Sequence, residues 1–226
     1  MGETIFLTAE DGHELCAYRA RPAAAVLAPL VVLHEFFGLN HHIRNVADRF
    51  AGLGYDVLVP GLFDRTERGI EFDYSPEGIA GGRRMRATVD AGDSLKDAQA
   101  AIDLMKAAAG PNGRIGVIGY CWGGTLAFLS ATRLRHLACA VGYYGSQIVD
   151  YLGERPGVPL MLHFGDSDLS IPLTDVERIR TAYPELPIHV YPGRHGFNCD
   201  DRANFVPESA AAALERTLAF FRRHLH

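Results

Sequence analysis

Short apolar runs alternate with amphipathic stretches along most of the chain. Several runs, such as residues 30–33, are continuous and rich in valine and leucine, which is typical of strands buried on both faces of a sheet. The stretches between them place apolar residues three or four positions apart, as an amphipathic helix does. Strands are predicted over 30–33, 55–59, 114–118, 139–144, 159–164 and 188–191, and helices over 43–53, 94–108, 125–131, 173–183 and 207–225. Because the two alternate, we predict an α/β fold with a mostly parallel central sheet and helices on both faces.

Two segments depart from this alternation. Near the start, the runs over 4–8 and 14–19 flank Asp11 and Gly12, a pair that predicts a β-hairpin turn. Residues 62–90 are irregular and polar, and we expect an excursion over the end of the sheet that can include one short helix. Neither segment indicates a second domain, so we predict a single domain over residues 1–226.

Composition narrows the class of protein. The formal net charge of −5 argues against a nucleic-acid surface, and no apolar run is long enough to span a bilayer. The first residues lack the basic start and apolar block of a signal peptide. The four cysteines have neither disulfide nor metal-ligand spacing. We therefore expect a cytoplasmic protein with reduced thiols, a small-molecule partner, no metal or cofactor, and a monomeric or small homo-oligomeric state.

The strand predicted over 114–118 leads into a candidate nucleophile. Cys121 follows that strand between Gly119 and Gly123, and a helical pattern begins directly afterwards. A strand, a tight turn with one nucleophile and a helix are typical of a nucleophile elbow, here with cysteine in the place of serine. The two glycines would let the strand and the helix pack closely. Cys121 is therefore the candidate nucleophile.

A cysteine nucleophile needs a base, and the base needs an orienting acid. His195 follows the last predicted strand, Asp166 and Asp168 follow the one before it, and Glu35 follows the strand over 30–33. The carboxyl ends of parallel strands meet at one edge of a sheet, where ligands bind. Each residue alone has a structural explanation, but the order nucleophile, acid, histidine is that of the α/β-hydrolases. The residues alone leave both aspartates open as the acid.

The residues present argue against three other kinds of site. The glycines around Cys121 have P-loop spacing but lack the lysine that contacts phosphates, and no G-x-G-x-x-G follows a strand. The pair His34 and Glu35 begins a zinc-protease pattern, but Gly38 stands where the second histidine is needed. Phosphate, dinucleotide and zinc sites are therefore disfavoured.

These residues resemble the dienelactone hydrolase family along nearly the whole chain. The similarity is carried by 35–38 (Glu-Phe-Phe-Gly), 119–124 (Gly-Tyr-Cys-Trp-Gly-Gly), 141–145 (Val-Gly-Tyr-Tyr-Gly), Asp168 and 195–197 (His-Gly-Phe). The resemblance implies an α/β-hydrolase fold and a carboxymethylenebutenolidase-like enzyme that hydrolyses lactones or activated esters through an acyl-enzyme. It implies Cys121 as nucleophile, His195 as base and Asp168 as orienting acid. Asp166 is then expected to make turn contacts.

The same resemblance implies roles for other residues. Glu35 would contact a basic residue or the thiol at rest and would help to generate the thiolate when substrate binds. The backbone N–H groups of Trp122 and Phe36 would form the oxyanion hole. Tyr143 would line the substrate cavity. Arginines in the segment that holds Arg83, Arg84 and Arg86 would meet a substrate carboxylate.

Two features bear on the substrate. A thiolate is a better leaving group than an alkoxide, so the tetrahedral intermediate goes forward only when the ester's own leaving group is a stabilised anion, such as an enolate. Family members that act on dienelactone carry an arginine shortly after the catalytic histidine, whereas this chain has Asp200 and Asp201 before its first arginine, Arg202. The acidic pair would repel an anionic substrate unless it points away. A broad carboxylesterase and a non-catalytic small-molecule binding protein therefore remain alternatives.

Overall fold

The computed structural model describes residues 2–225 and contains one eight-stranded sheet. The strands are β1 Glu3–Thr8, β2 Glu14–Ala20, β3 Ala28–Leu33, β4 Tyr55–Pro60, β5 Ile115–Tyr120, β6 Leu137–Tyr143, β7 Leu160–Gly165 and β8 Ile188–Tyr191. The helices are α1 His41–Gly52, α2 Pro76–Ala87, α3 Ala91–Ala109, α4 Trp122–Arg133, α5 Leu173–Ala182 and α6 Pro207–Leu225, with a 3₁₀ turn at Ile148–Tyr151.

The strand order is β1-β2-β4-β3-β5-β6-β7-β8. Strands β4, β3, β5, β6, β7 and β8 pair in parallel, whereas β1 and β2 are antiparallel to their neighbours. The antiparallel pair is the predicted hairpin, with Thr8 opposite Glu14 and Gly12 at φ 83° in its turn. The mostly parallel α/β sheet predicted from the sequence is confirmed.

The core lies between the sheet and its helices. All six residues of β3, of β4 and of β5 are buried, as expected for strands covered on both faces. Helices α1 and α6 pack together, with the rings of Phe50 and Phe221 6.4 Å apart, and helix α3 contacts helix α4. Within residues 2–225, none of the helices combines the length and the apolar character needed to cross a membrane.

The polar excursion over 62–90 contains one helix, as expected. Helix α2 begins at Pro76, after Ser75, whose side chain accepts a hydrogen bond from the Gly78 N–H. Helix α3 begins at Ala91, three residues earlier than predicted, because Asp90 caps it by accepting from the Asp93 N–H. The excursion brings α2 across the carboxyl end of the sheet, where the candidate chemical groups lie.

Candidate active site

Cys121 sits in a strained turn between β5 and α4. Its φ of 54° and ψ of −114° lie outside the regions that most side chains adopt, and its N–H donates to the Tyr143 carbonyl at 3.0 Å. A Cβ on Gly119 would lie 1.8 Å from the Gly123 carbonyl oxygen, and one on Gly123 would lie 2.0 Å from that of Leu33. Both glycines are therefore required by close backbone approach, as the elbow pattern predicted.

The structure brings Cys121, His195 and Asp168 into one chain of contacts. His195 Nε2 lies 3.1 Å from Cys121 Sγ, and His195 Nδ1 lies 2.7 Å from Asp168 Oδ2. The other Asp168 oxygen accepts from the Ser170 N–H at 2.8 Å, so the buried carboxylate is held on both sides. This is the arrangement of a nucleophile, a base and a group that orients the base.

Asp166, the other candidate acid, lies elsewhere. It is exposed, and its Oδ1 accepts from the Gly193 N–H at 3.1 Å and from the Ser167 hydroxyl at 2.8 Å. These contacts join the loops after β7 and β8. The geometry therefore places Asp168 against His195 and gives Asp166 a structural contact.

The surroundings of His195 favour its protonated form. Burial disfavours the imidazolium, but the charge of Cys121 and the hydrogen bonds to Asp168 and Cys121 outweigh it and raise the pKa of His195 to about 10. Cys121 also precedes helix α4, whose N-terminal end is partially positive. A thiolate beside an imidazolium is the reactive form of a cysteine nucleophile.

Glu35 is buried beside a tyrosine and an arginine. Its Oε2 accepts from the Tyr74 hydroxyl at 3.3 Å, and its Oε1 lies 3.9 Å from Arg202 Nη1. Burial and the neighbouring carboxylate raise the pKa of Tyr74, which keeps its hydroxyl protonated as a donor. Oε1 and Nη1 are both buried without a hydrogen-bond partner. Arg202, the first arginine after His195, is therefore the basic residue next to Glu35.

The acidic pair before Arg202 is engaged with helix α1. Asp200 forms a salt bridge with Arg49 at 2.5 Å, and Asp201 Oδ2 lies 3.6 Å from His41 Nδ1. Both carboxylates of the acidic pair therefore contact side chains of α1.

The arginine expected near the substrate is not the one that the structure brings to the elbow. Arg83 and Arg84 are exposed on α2, whereas the guanidinium carbon of Arg86 lies 3.4 Å from the centre of the Trp122 ring. Arg86 also donates to the Gln147 side chain at 2.9 Å. Positions 82, 85 and 86 share the inward face of α2, and only the packing of this helix shows which arginine that face carries. A substrate contact by Arg83 or Arg84 stays a prediction.

Tyr143 also differs from its expected place. Its side chain is buried in the core, with its hydroxyl 2.7 Å from Thr217 Oγ1 on α6. The next residue, Tyr144, has φ 39° and places its ring 5.1 Å from that of His195. The bend after β6 therefore turns Tyr144, rather than Tyr143, toward His195.

One expected oxyanion donor lies at the start of a helix, and the other lies in a loop that hydrogen bonds hold in place. Trp122 is the first residue of α4, whose first N–H groups have no acceptor within the helix, and Phe36 follows Glu35 in the loop after β3. That loop is fixed by His34, whose Nδ1 lies 2.6 Å from the Glu35 carbonyl and whose Nε2 accepts from the Leu62 N–H. Burial lowers the pKa of His34 to about 4, so the ring stays neutral and serves both contacts. This role was not apparent in the sequence.

Two groups of side chains among residues 2–225 have ligand atoms close enough to hold a metal ion. One is Glu35, His42 and Cys199, and the other is His42, Asp200 and Asp201. The first lies beside the Arg202 guanidinium, whose charge opposes a cation. Neither of these two groups includes Cys121.

Comparison with known proteins agrees with this geometry. The profile of the Dienelactone hydrolase family matches residues 15–225. The chain is 33% identical to a candidate carboxymethylenebutenolidase of Synechocystis, over 98% of this chain and 97% of that protein. It is 31% identical to the carboxymethylenebutenolidase of Pseudomonas putida, over 96% and 95% of the two chains. A crystal structure of a candidate dienelactone hydrolase from Klebsiella pneumoniae superposes with a TM-score of 0.85 at 29% identity, covering 98% of this chain and all of that one.

Proposed function

This chain belongs to the dienelactone hydrolase family of hydrolases that act on ester or lactone bonds, and from that premise we propose that it uses Cys121 as a covalent nucleophile on lactones or activated esters. The observation that carries the proposal is the continuous contact of Asp168, His195 and Cys121. We also propose that residues 1–226 act as one domain.

In the proposed reaction, the Cys121 thiolate attacks the substrate carbonyl and forms a tetrahedral intermediate. The backbone N–H groups of Trp122 and Phe36 stabilise its oxyanion, and one well-placed donor is worth about 3–4 kcal/mol. The intermediate collapses, the C–O bond breaks, and the His195 imidazolium gives its Nε2 proton to the leaving oxygen. The neutral His195 then accepts a proton from the water that attacks the thioester, the C–S bond breaks, and the acid is released while the thiolate and the imidazolium are restored.

Glu35 has a proposed role in preparing the thiolate. At rest it lies between the Tyr74 hydroxyl and the Arg202 guanidinium, with one oxygen that has no hydrogen-bond partner. A carboxylate held this loosely can exchange partners when a substrate brings a second anion to Arg202. Glu35 would then be free to help generate the thiolate, as the family resemblance implies.

Two features bear on the substrate class: the proposed nucleophile is a thiolate, and two arginines lie near it. Because a thiolate leaves readily, only an ester with a stabilised leaving group, such as an enol lactone, would go forward efficiently. Arg202 beside Glu35 and Arg86 on the Trp122 ring supply positive charge near the elbow. A lactone that carries a carboxylate is therefore the preferred substrate, and Arg86 takes the place first expected for Arg83 and Arg84.

The test compares the wild type with Cys121→Ala and Cys121→Ser on a dienelactone and on a neutral aryl ester. We expect no measurable turnover by Cys121→Ala and a transient mass increase of one acyl group on wild-type Cys121 when an activated ester is mixed with the enzyme. Equal turnover by wild type and Cys121→Ala would disprove the mechanism. Absence of both turnover and adduct would favour a non-catalytic binding protein.

A broad carboxylesterase is distinguished by its response to charge. Arg86→Met should raise KM for the carboxylated lactone about tenfold, in line with the loss of one charge-assisted contact, and should leave the neutral ester unaffected. Arg83→Met is the matched control, because Arg83 is exposed on the same helix. Equal effects of Arg86→Met on both substrates would favour the broad carboxylesterase.

A further inference from the structure

Four side chains with metal-binding atoms meet at the start of helix α1. His41 and His42 are the first two residues of α1, and Asp200 and Asp201 lie in the loop that follows β8. His42 Nδ1 is 3.1 Å from Asp200 Oδ1, and His41 Nδ1 is 3.6 Å from Asp201 Oδ2. Ligand atoms of His42, Asp200 and Asp201 all lie within 4.8 Å of one another. Two separate segments of the chain thus converge on one point.

The imidazole of His42 is the unusual member of this group. Its side chain is 3% exposed, and its Nδ1 is buried without a hydrogen-bond partner, although Asp200 Oδ1 lies at hydrogen-bond distance. The distance between His42 Nδ1 and Asp200 Oδ1 suits a hydrogen bond, but the relative orientation of the two groups does not. Two ligand atoms of one tetrahedral metal ion, each about 2.0–2.2 Å from it, would lie about 3.3–3.6 Å apart. The observed 3.1 Å is slightly shorter than such an edge, so an ion would separate the two side chains by a few tenths of an ångström.

The surroundings attract a cation. A cavity of about 600 Å³ adjoins the group, and its walls carry the carboxylates of Asp73, Glu77 and Asp201, together with that of Glu71, which forms a salt bridge with Arg44. Clustered carboxylates in a concave surface raise the local concentration of cations. Arg49 contacts Asp200 mainly through Oδ2, at 2.5 Å, which leaves Oδ1 turned toward His42. A carboxylate that binds a metal ion is usually held by a hydrogen bond from an outer group, as Arg49 holds Asp200.

We propose that His42, Asp200 and Asp201 form a binding site for one divalent first-row transition-metal ion. The imidazole nitrogen favours such an ion over calcium or magnesium, which prefer oxygen ligands alone. His41 is exposed beside Asp201 and can supply a fourth ligand. The ion would tie helix α1 to the loop that leads to Arg202.

The probe is Co²⁺ added to the full chain with Cys121→Ser, because the catalytic thiol is itself a metal ligand. Titration calorimetry and the visible spectrum are recorded for this background and for three further variants. Asp201→Asn and His42→Gln remove ligands, and Glu77→Gln removes a charge from the same cavity without removing a ligand. Asp201 is partly exposed, so its variant keeps the test valid if His42→Gln fails to fold.

The expected result is one ion per chain with a d–d spectrum free of thiolate charge-transfer bands. Asp201→Asn and His42→Gln should weaken binding at least tenfold, and Glu77→Gln should change it less than threefold. Bound Co²⁺ should also raise the melting temperature of the background but not that of Asp201→Asn. No binding at millimolar Co²⁺ would mean that His42 and Asp200 form an ion pair only and would overturn the proposal. A thiolate band would overturn it as well, since it would place the ion at Cys199.

Discussion

Replacing Asp168 by asparagine separates the two aspartates that the sequence left open. Asp168 accepts hydrogen bonds on both oxygens, from His195 and from the Ser170 N–H. An asparagine has only one oxygen. If that oxygen stays on Ser170, its amide N–H₂ faces His195 Nδ1, which must then give up its proton. The remaining proton sits on Nε2, and the ring can no longer accept one from Cys121.

The expected loss of activity in Asp168→Asn follows from the loss of Nε2 as a proton acceptor. The same wrong-tautomer substitution in a serine triad lowers kcat about 10⁴-fold. A thiol ionises more readily than a hydroxyl, so we expect a smaller loss here, of about 10³-fold in kcat/KM. At about 1.4 kcal/mol per decade, this is roughly 4 kcal/mol of transition-state stabilisation. The substitution also removes one of the interactions that raise the pKa of His195, so that pKa should fall.

Steady-state hydrolysis of an activated ester between pH 5 and 10 measures both effects. The matched control is Asp166→Asn, which removes contacts to Gly193 and Ser167 but none to His195. Asp166→Asn should retain at least a third of the activity. If Asp168→Asn keeps more than a tenth of wild-type kcat/KM, or if Asp166→Asn loses as much as Asp168→Asn, the assignment of Asp168 is wrong.

Three further predictions concern the buried network and the elbow. Thr217→Val removes the hydroxyl that lies 2.7 Å from the Tyr143 hydroxyl and 3.2 Å from His163 Nε2, and it leaves two buried polar groups unpaired. Urea unfolding should show a loss of about 2–4 kcal/mol, against about 1 kcal/mol for Thr217→Ser, and equal losses would contradict the network. Burial lowers the pKa of His163 well below its usual value, so the folded state keeps it neutral while the unfolded chain protonates near pH 6.5. Stability should therefore be full above about pH 7 and fall as the pH drops below 6.5, by up to about 1.4 kcal/mol per pH unit, and the slope should be shallower in His163→Gln. Gly123→Ala places a Cβ 2.0 Å from the Leu33 carbonyl oxygen, so we expect a melting temperature lower by several degrees and an activity loss above 100-fold; wild-type values for both would refute the close approach.

Much of the fold followed from local pattern. Continuous apolar runs gave the parallel strands, and the pair Asp11 and Gly12 gave the hairpin, because burial and turn geometry act over a few residues. Element ends were less accurate. Helix α3 begins before its first apolar periodic residue because Asp90 caps it, and a cap is a polar signal outside the hydrophobic pattern.

Some features of the candidate site also followed from the sequence, whereas others did not. The sequence by itself determined that Cys121, Asp168, His195 and Glu35 follow strands, and the parallel sheet then brings all four to one edge. Only the tertiary structure decided which arginine and which tyrosine join them. Arg86 rather than Arg83 faces inward because of how α2 is rotated on the sheet end.

The remaining choices depended on contacts between distant parts of the chain. Arg202 reaches Glu35 from 167 positions away, and the bend after β6 selects Tyr144 over Tyr143. A sequence specifies what each short segment prefers, so it fixes strands, helices and the residues at their ends. Which side chain occupies a space that several segments border depends on the packing of the whole molecule. The side chains that could fill that space come from segments far apart in the sequence, so no local pattern decides between them.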